Sequence, residues 1–123
     1  MTSREYDIIE FIQKYRVVTT STLCHFFFKS INSCYKVTHR MFVDGHIKRM
    51  KLIENNQNSE FIYYINKPPQ QLKHMVTITN FMAKWDNKYG IQDFDVQRKL
   101  GSIIPDAIML SNNQLYIVEI ELS

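Results

Sequence analysis

The feature that most constrains this 123-residue sequence is an apolar repeat that stops at a glycine. Cys34, Val37 and Met41 recur at intervals of three and four residues, which places them on one face of a helix. Ser30 is a suitable N-cap for this helix, and Gly45 is suited to the left-handed conformation that ends one. The pattern therefore predicts a helix over residues 31–44 with one buried face.

Two shorter helices are predicted upstream. The first runs from Ser3, which we expect to be its N-cap, to Tyr15, with isoleucines at helical spacing. The second begins in the hydroxyl-rich cluster 19–22 and is short, because Lys29 and Ser30 interrupt its apolar pattern. Residues 1–44 are thus expected to form three helices in succession.

Two strands are predicted after Gly45, over residues 46–53 and 61–66, separated by the polar turn 54–60. The Lys67-Pro68-Pro69 segment then marks a boundary. Three helices followed by a two-stranded hairpin are the element order of a winged helix-turn-helix. We therefore expect residues 1–67 to form such a domain.

Residues 70–123 differ in character. A helix is predicted over 70–88, with Leu72, Val76, Thr79 and Met82-Ala83 on its apolar side, followed by strands over 92–98, 103–110 and 114–122. Residues 111–113 read as a hairpin turn, and Ile117, Val118 and Ile120 are expected to fill the core. The predicted fold class is α+β, with a winged helix followed by a small helix and a three-stranded antiparallel meander.

The positive charge is concentrated in the first of these units. Residues 1–67 hold ten Lys and Arg against six Asp and Glu, whereas residues 68–123 hold five against six. A basic excess confined to one domain favours a phosphate-bearing partner. The sequence therefore predicts that the N-terminal unit binds double-stranded DNA.

The helix over 31–44 offers a polar and basic outer face of the kind that enters the major groove, and the hairpin after it carries further cations. Arg40 is suited to guanine and Asn32 to adenine, while Ser33 and Tyr35 are suited to phosphate. The same charges are also compatible with a solvated surface or with protein contacts. The predicted DNA-binding residues are Asn32, Ser33, Tyr35, Lys36, His39, Arg40, Lys48, Arg49, Lys51, Asn55 and Asn56.

Carboxylates in the last two predicted strands raise an alternative. Restriction-endonuclease-like enzymes hold Mg²⁺ with a Pro-Asp on one strand and the glutamate of a Glu-x-Lys on the next. Asp106 and Glu119 occupy the two metal positions here, but Glu121 stands where that motif has lysine. An ordinary β-hairpin explains the same residues. A Mg²⁺-dependent nuclease using Asp106, Glu119 and Glu121 is therefore the alternative, and no enzyme activity is expected.

The chain resembles the replication-relaxation family of plasmids, phages and integrative elements, which pairs an N-terminal winged helix with a degenerate nuclease-like segment. The matching stretches are residues 17–23, residues 38–47, Pro105-Asp106 and Val118-Glu119-Ile120-Glu121. The resemblance implies a non-enzymatic DNA-binding protein that assists replication, relaxation or conjugal transfer, alongside other proteins of those processes. The sequence does not distinguish such an accessory protein from a plain transcriptional repressor.

Partners and location follow from the remaining features. One winged helix reads few base pairs and two-fold operators are common, so we expect a homodimer. Residues 70–123 are expected to be either a nuclease-like remnant or a dimerisation element. The sequence has neither a signal-peptide pattern nor a long apolar run, which predicts a cytoplasmic protein without membrane contact. Cys24 and Cys34 are expected to be thiols, and no cofactor or metal is expected.

Overall fold

The computed structural model describes residues 1–51 and 60–121. Within those ranges the chain is α+β, with four helices and two three-stranded antiparallel sheets, which confirms the predicted class. The elements in chain order are α1 (Ser3–Tyr15), β1 (Val18–Thr19), α2 (Thr20–Phe27), α3 (Ile31–Val43), β2 (Lys48–Lys51), β3 (Phe61–Tyr64), α4 (Leu72–Tyr89), β4 (Asp93–Val96), β5 (Ala107–Ser111) and β6 (Gln114–Val118).

Helix α1 begins with a capping box one residue earlier than predicted. The hydroxyl of Thr2 accepts a hydrogen bond from the Glu5 amide at 3.2 Å, and the Glu5 carboxylate accepts one from the Thr2 amide at 3.1 Å. Two free amides of the first turn are thereby satisfied reciprocally. The prediction that Ser3 is the N-cap was wrong, because the Thr-x-x-Glu spacing starts at Thr2.

Helices α2 and α3 begin at the hydroxyl-bearing residues that the sequence predicts as their starts. Thr19 caps α2 by accepting from the Thr22 amide, and Ser30 caps α3 by accepting from the Ser33 amide, both at 3.2 Å. Gly45 follows α3 with φ of +83°, a left-handed conformation that favours glycine. The predicted apolar stripe of α3 is buried, including Thr38.

The first sheet has the order β1-β3-β2, so β3 is its central strand. Tyr63 of β3 is fully buried, and its hydroxyl accepts from Thr20 and donates to Thr38, each at 3.2 Å. Burial raises the pKa of Tyr63, since it disfavours the phenolate. This hydroxyl network links β3 to both α2 and α3, and it fixes the hairpin relative to α3.

The second sheet has the order β4-β5-β6. Asn112 and Asn113 join β5 to β6 with φ of +51° and +62°, as a two-residue type I′ turn requires, so the predicted hairpin is confirmed. Ile117 is 60% exposed, which contradicts its predicted place in the core. It pairs with Ile108 on the face away from α4, while Tyr116 and Val118 point to the other side.

Helix α4 lies between the two halves of the chain. Asn80 accepts hydrogen bonds from Thr19 at 3.0 Å and Thr22 at 3.3 Å, and Trp85 donates to Ser111 of β5 at 3.0 Å. Because α4 is covered on two sides, Met75 and Ile78 are buried in addition to part of the predicted stripe. The buried core is continuous across both predicted units, with Ile12, Leu23, Met41, Tyr63, Ile78, Met82, Phe94 and Met109 among its members.

In the part of the chain that the structure describes, no helix combines the length and apolar character needed to cross a membrane.

Candidate nucleic-acid interface

The outer face of α3 lies opposite its buried stripe. At about 100° of rotation per residue, Asn32, Lys36, His39 and Val43 point most directly away from that stripe. All four side chains are exposed, and Val43 is 65% exposed. We call these four residues the α3 apex. Three of the predicted DNA-binding residues are therefore brought together on one solvent-facing strip.

The other predicted residues of α3 lie on its two flanks. Tyr35 is 40% exposed and shares a flank with Phe42, two turns further on, which faces the hairpin. Ser33 shares the opposite flank with Arg40, on the side of α1. The Ser33 hydroxyl lies 3.0 Å from that of Ser30, so it already has a partner within the helix start. The flanks thus differ in character from the apex.

Arg40 forms an ion pair with Glu5 of α1. The Glu5 carboxylate is buried, whereas the Arg40 side chain is 57% exposed. The hydrogen bond from Arg40, followed by that from the Thr2 amide, holds the pKa of Glu5 below its ordinary value against the opposing effect of burial. One end of the guanidinium therefore fixes α3 to α1, and its remaining N–H groups face solvent. The guanine-reading role of Arg40 stays a prediction.

The hairpin contributes a cation held between two rings. The guanidinium carbon of Arg49 lies 4.1 Å from the ring centroid of Phe42 in α3 and 4.3 Å from that of Phe61 in β3. Both distances are within the range of cation–π attraction. A guanidinium held by cation–π attraction makes no hydrogen bond to the rings, so its N–H groups keep their capacity to donate. Arg49 therefore joins α3 to the hairpin while keeping the capacity to bind an anion.

The two neighbouring lysines of β2 are exposed. Lys48 donates to the carbonyl oxygen of Asn66 at 2.8 Å, and the Lys51 ammonium lies 5.1 Å from the Phe61 ring centroid. Arg49 and Lys51 thus share the face of β2 that contacts Phe61, whereas Lys48 points to the opposite face of the strand. Asn55 and Asn56, also predicted to bind DNA, lie outside the described residues.

Asp106, the first carboxylate of the alternative nuclease site, is held by hydrogen bonds from two other parts of the chain. Asp106 accepts a hydrogen bond from the Ile120 amide at 2.7 Å, and its other oxygen lies 2.7 Å from Nε2 of His74 in α4. Burial would raise the pKa of Asp106, but these hydrogen bonds outweigh it and hold that pKa below its ordinary value. Asp106 thus connects the start of β5 to α4 and to the chain after β6.

Glu119 and Glu121 are exposed. Across residues 1–51 and 60–121, no group of three or more His, Cys, Asp or Glu side chains is arranged to hold a metal ion. Cys24 and Cys34 are free thiols, and burial raises the pKa of Cys34 to about 12. Cys34 is therefore protonated and unreactive in the folded protein.

Sequence reasoning missed the partners that hold the site together, namely Glu5, Phe42 and Phe61. Glu5 contacts a residue 35 positions away, and such a contact has no local signal in the sequence. Phe42 and Phe61 lie on different elements from Arg49, so helical periodicity alone does not pair either ring with it.

In comparisons with known proteins, the chain matches no family model, no curated protein and no solved structure.

Proposed function

We propose that residues 1–67 form a winged-helix domain that binds double-stranded DNA, with α3 in the major groove and the hairpin along the sugar-phosphate backbone. The observation that carries the proposal is the uncovered α3 apex beside a hairpin whose three cations lie along β2. In such a complex, the short polar and basic side chains on the outer face of the helix contact the edges of the bases. The neighbouring cations neutralise phosphates.

The order of the elements supports the winged-helix assignment. Three helices precede the two strands of the hairpin, and the short β1 between α1 and α2 pairs with β3. The hairpin contacts α3 through the hydrogen bond from Tyr63 to Thr38 and through the contact of Arg49 with Phe42. Such an arrangement keeps a helix and a wing at a constant separation.

Within this proposal the residues divide by role. Asn32, Lys36 and His39 at the apex contact base edges or the phosphates that border the groove. Arg49 and Lys51 contact backbone phosphates, and Arg49 has a planar set of donors that its stacking orients. Arg40 serves first to fix α3 against α1 through Glu5, and its free N–H groups add a phosphate contact.

We further propose that the protein is a homodimer that assists replication, relaxation or transfer of a mobile element together with other proteins of those processes. Two copies reading a two-fold site would double the number of base contacts. Repression of a promoter is the alternative use of the same surface, and the position of the binding site distinguishes the two.

Lys36→Ala tests the interface, with Lys84→Ala as the matched control, since both remove one exposed helical lysine. Fluorescence anisotropy with duplex DNA over a range of salt concentrations measures affinity and its salt slope. We expect Lys36→Ala to weaken binding and to reduce the slope by about 1, because one phosphate contact is lost. Lys84→Ala should leave both unchanged. Equal effects of the two substitutions, or no salt-dependent binding by the unaltered protein, would contradict the proposal.

Selection of bound duplexes from a random library, followed by footprinting on DNA around the gene and neighbouring origins, locates the target site. A site at an origin of replication or transfer supports the accessory role, whereas a site overlapping the protein's own promoter supports repression. Recovery of no preferred sequence would contradict sequence-specific recognition by the α3 apex.

A further inference from the structure

The second sheet has one edge that is protected by charge and one that is not. Strand β4 carries Asp93 and Asp95, and Arg98 pairs with Asp95 just beyond it. Strand β6 has the sequence Gln-Leu-Tyr-Ile-Val, without charge or proline, and among the described residues it has one neighbouring strand, β5. Proteins usually guard exposed edges with charges, prolines or a cover, because an open edge pairs with another strand.

The hydrogen-bond register identifies which residues face that open edge. A two-residue type I′ turn is closed by a hydrogen-bonded pair, here Ser111 and Gln114. The carbonyl of Leu110 accepts from the Gln92 amide at 2.8 Å, so the backbone of Leu110 faces β4. Leu115 lies opposite Leu110 in a pair that is not hydrogen-bonded, and Ile117, two residues further along β6, is in the same position relative to Ile108. The N–H and C=O groups of Leu115 and Ile117 therefore point outward from the sheet edge.

The same two residues also expose their side chains. Leu115 is 67% exposed and Ile117 is 60% exposed, on the face of the sheet away from α4. Both backbone donors and apolar surface are thus offered at the same two positions, and a strand that pairs with this edge would cover both together.

We propose that a second copy of this chain occupies this edge, with β6 pairing antiparallel to its symmetry mate about a two-fold axis at Tyr116. This register sets Leu115 opposite Ile117 of the other copy as hydrogen-bonded pairs, so four apolar side chains lie side by side. Glu119 falls opposite Asn113 of the other copy, so no like charges face each other. The two sheets become one six-stranded sheet. This inference deepens the proposed function, since it rests on the proposal of a homodimer and assigns its surface.

Sedimentation equilibrium of the full chain tests the assembly. We expect a dimer for the unaltered protein and a monomer for Leu115→Lys/Ile117→Lys, in which lysines face each other across the pairing. Tyr6→Lys is the control, since Tyr6 is 57% exposed on α1, and it should stay dimeric. Trp85 fluorescence and far-ultraviolet circular dichroism verify that each variant is folded. A monomeric unaltered protein, or a folded double variant that stays dimeric, would overturn the proposal.

Cross-linking tests the register without disturbing the fold. Leu115→Cys and Ile117→Cys are prepared separately in a Cys24→Ser background and oxidised with oxidised glutathione. Residues of a hydrogen-bonded pair have Cα atoms about 5.5 Å apart, within disulfide range, whereas identical positions lie diagonally at about 7 to 8 Å. The equimolar mixture should give a covalent dimer and each single variant little. Equal cross-linking in all three samples, or none in the mixture, would overturn the register.

DNA binding is measured on the same samples. If a monomeric variant still binds a DNA half-site, and Lys36→Ala still reduces the salt slope of that binding, the proposed DNA interface is supported. If the unaltered protein is a dimer that does not bind DNA, the β6 pairing is still supported. A failure of DNA binding and a failure of the β6 pairing are therefore distinguishable.

Discussion

Arg40 of α3 illustrates how a single contact changes what a surface residue does. By position it belongs to a basic helix face, yet its guanidinium reaches the buried carboxylate of Glu5. Glu5 in turn belongs to the capping box of α1. A carboxylate buried at such a site is stable when ionised because a cation and an amide donate to it. The pair therefore connects the start of α1 to α3.

Glu5→Gln should lower the free energy of unfolding by about 1 kcal/mol at neutral pH, because it replaces a charge-assisted hydrogen bond with a neutral one. The pKa of Glu5 is lowered from 4.5 in the folded protein, so its contribution is fully present above that value. As the pH falls below 4.5 the unfolded chain binds the proton first, and the contribution is lost. Urea unfolding over a pH series should therefore give a smaller acid-induced loss for the variant.

Glu10→Gln is the control for this experiment, since Glu10 is exposed on the same helix. It should match the unaltered protein across the series. A Glu5→Gln variant with an unchanged pH profile would mean that the ion pair adds no net stability.

At the scale of elements, the turn between β5 and β6 sets the register of the second sheet. Asn112 and Asn113 both adopt positive φ, a conformation in which a Cβ atom crowds the backbone, and asparagine tolerates it better than most residues. Asn113 is also bound to Gln92, through its amide at 2.7 Å and its side chain at 3.0 Å. The turn therefore fixes which residues of β6 face outward.

Asn112→Ala should destabilise the protein by about 1 kcal/mol, because alanine carries the full steric cost of the left-handed region. Asn112→Gly should be neutral or stabilising, since glycine adopts positive φ without that cost. Thermal unfolding of the two variants beside Asn87→Ala, an exposed helical site, measures the difference. Equal Tm values for the alanine and glycine variants at position 112 would contradict the type I′ assignment.

The elements of this chain were predicted well where a local signal exists. Hydroxyl caps, the glycine after α3, the periodicity of α1 and α3 and the Asn-Asn turn all act through neighbouring residues, so the sequence contains them directly. Ile117 was misplaced because alternation alone does not say which face of a strand is covered, and that depends on where α4 packs. The Arg40 and Arg49 contacts were missed for the same reason, since their partners lie on other elements.

At the scale of the whole molecule, α4 makes the two halves interdependent. It contacts α2 and β1 through Asn80, and the second sheet through Trp85. In addition, Nε2 of His25 in α2 lies 2.6 Å from a carboxylate oxygen of Asp86 in α4. Tyr15 of α1 also donates to the carbonyl of Phe94 in β4 at 3.1 Å. The first half would therefore expose part of its core if the second half were removed.

We expect the chain to unfold in one cooperative transition. Trp85, the single tryptophan, lies beside Tyr116 and reports on α4 and β6, whereas far-ultraviolet circular dichroism reports on all helices. The two signals should change together in a urea titration, because the shared core is lost at once. Two separated transitions would mean that the predicted units 1–67 and 70–123 fold independently.

The stack of Arg49 between Phe42 and Phe61 has a consequence for mutational analysis. The cation is attracted to both rings, so removing one ring changes what the other contributes. The effects of substitutions at these three positions are therefore non-additive, and a double-mutant cycle between Phe42 and Phe61 should return a coupling energy although the two residues lie on different elements. The stability of the contact between the hairpin and α3 is therefore a property of the three side chains together and cannot be divided among them.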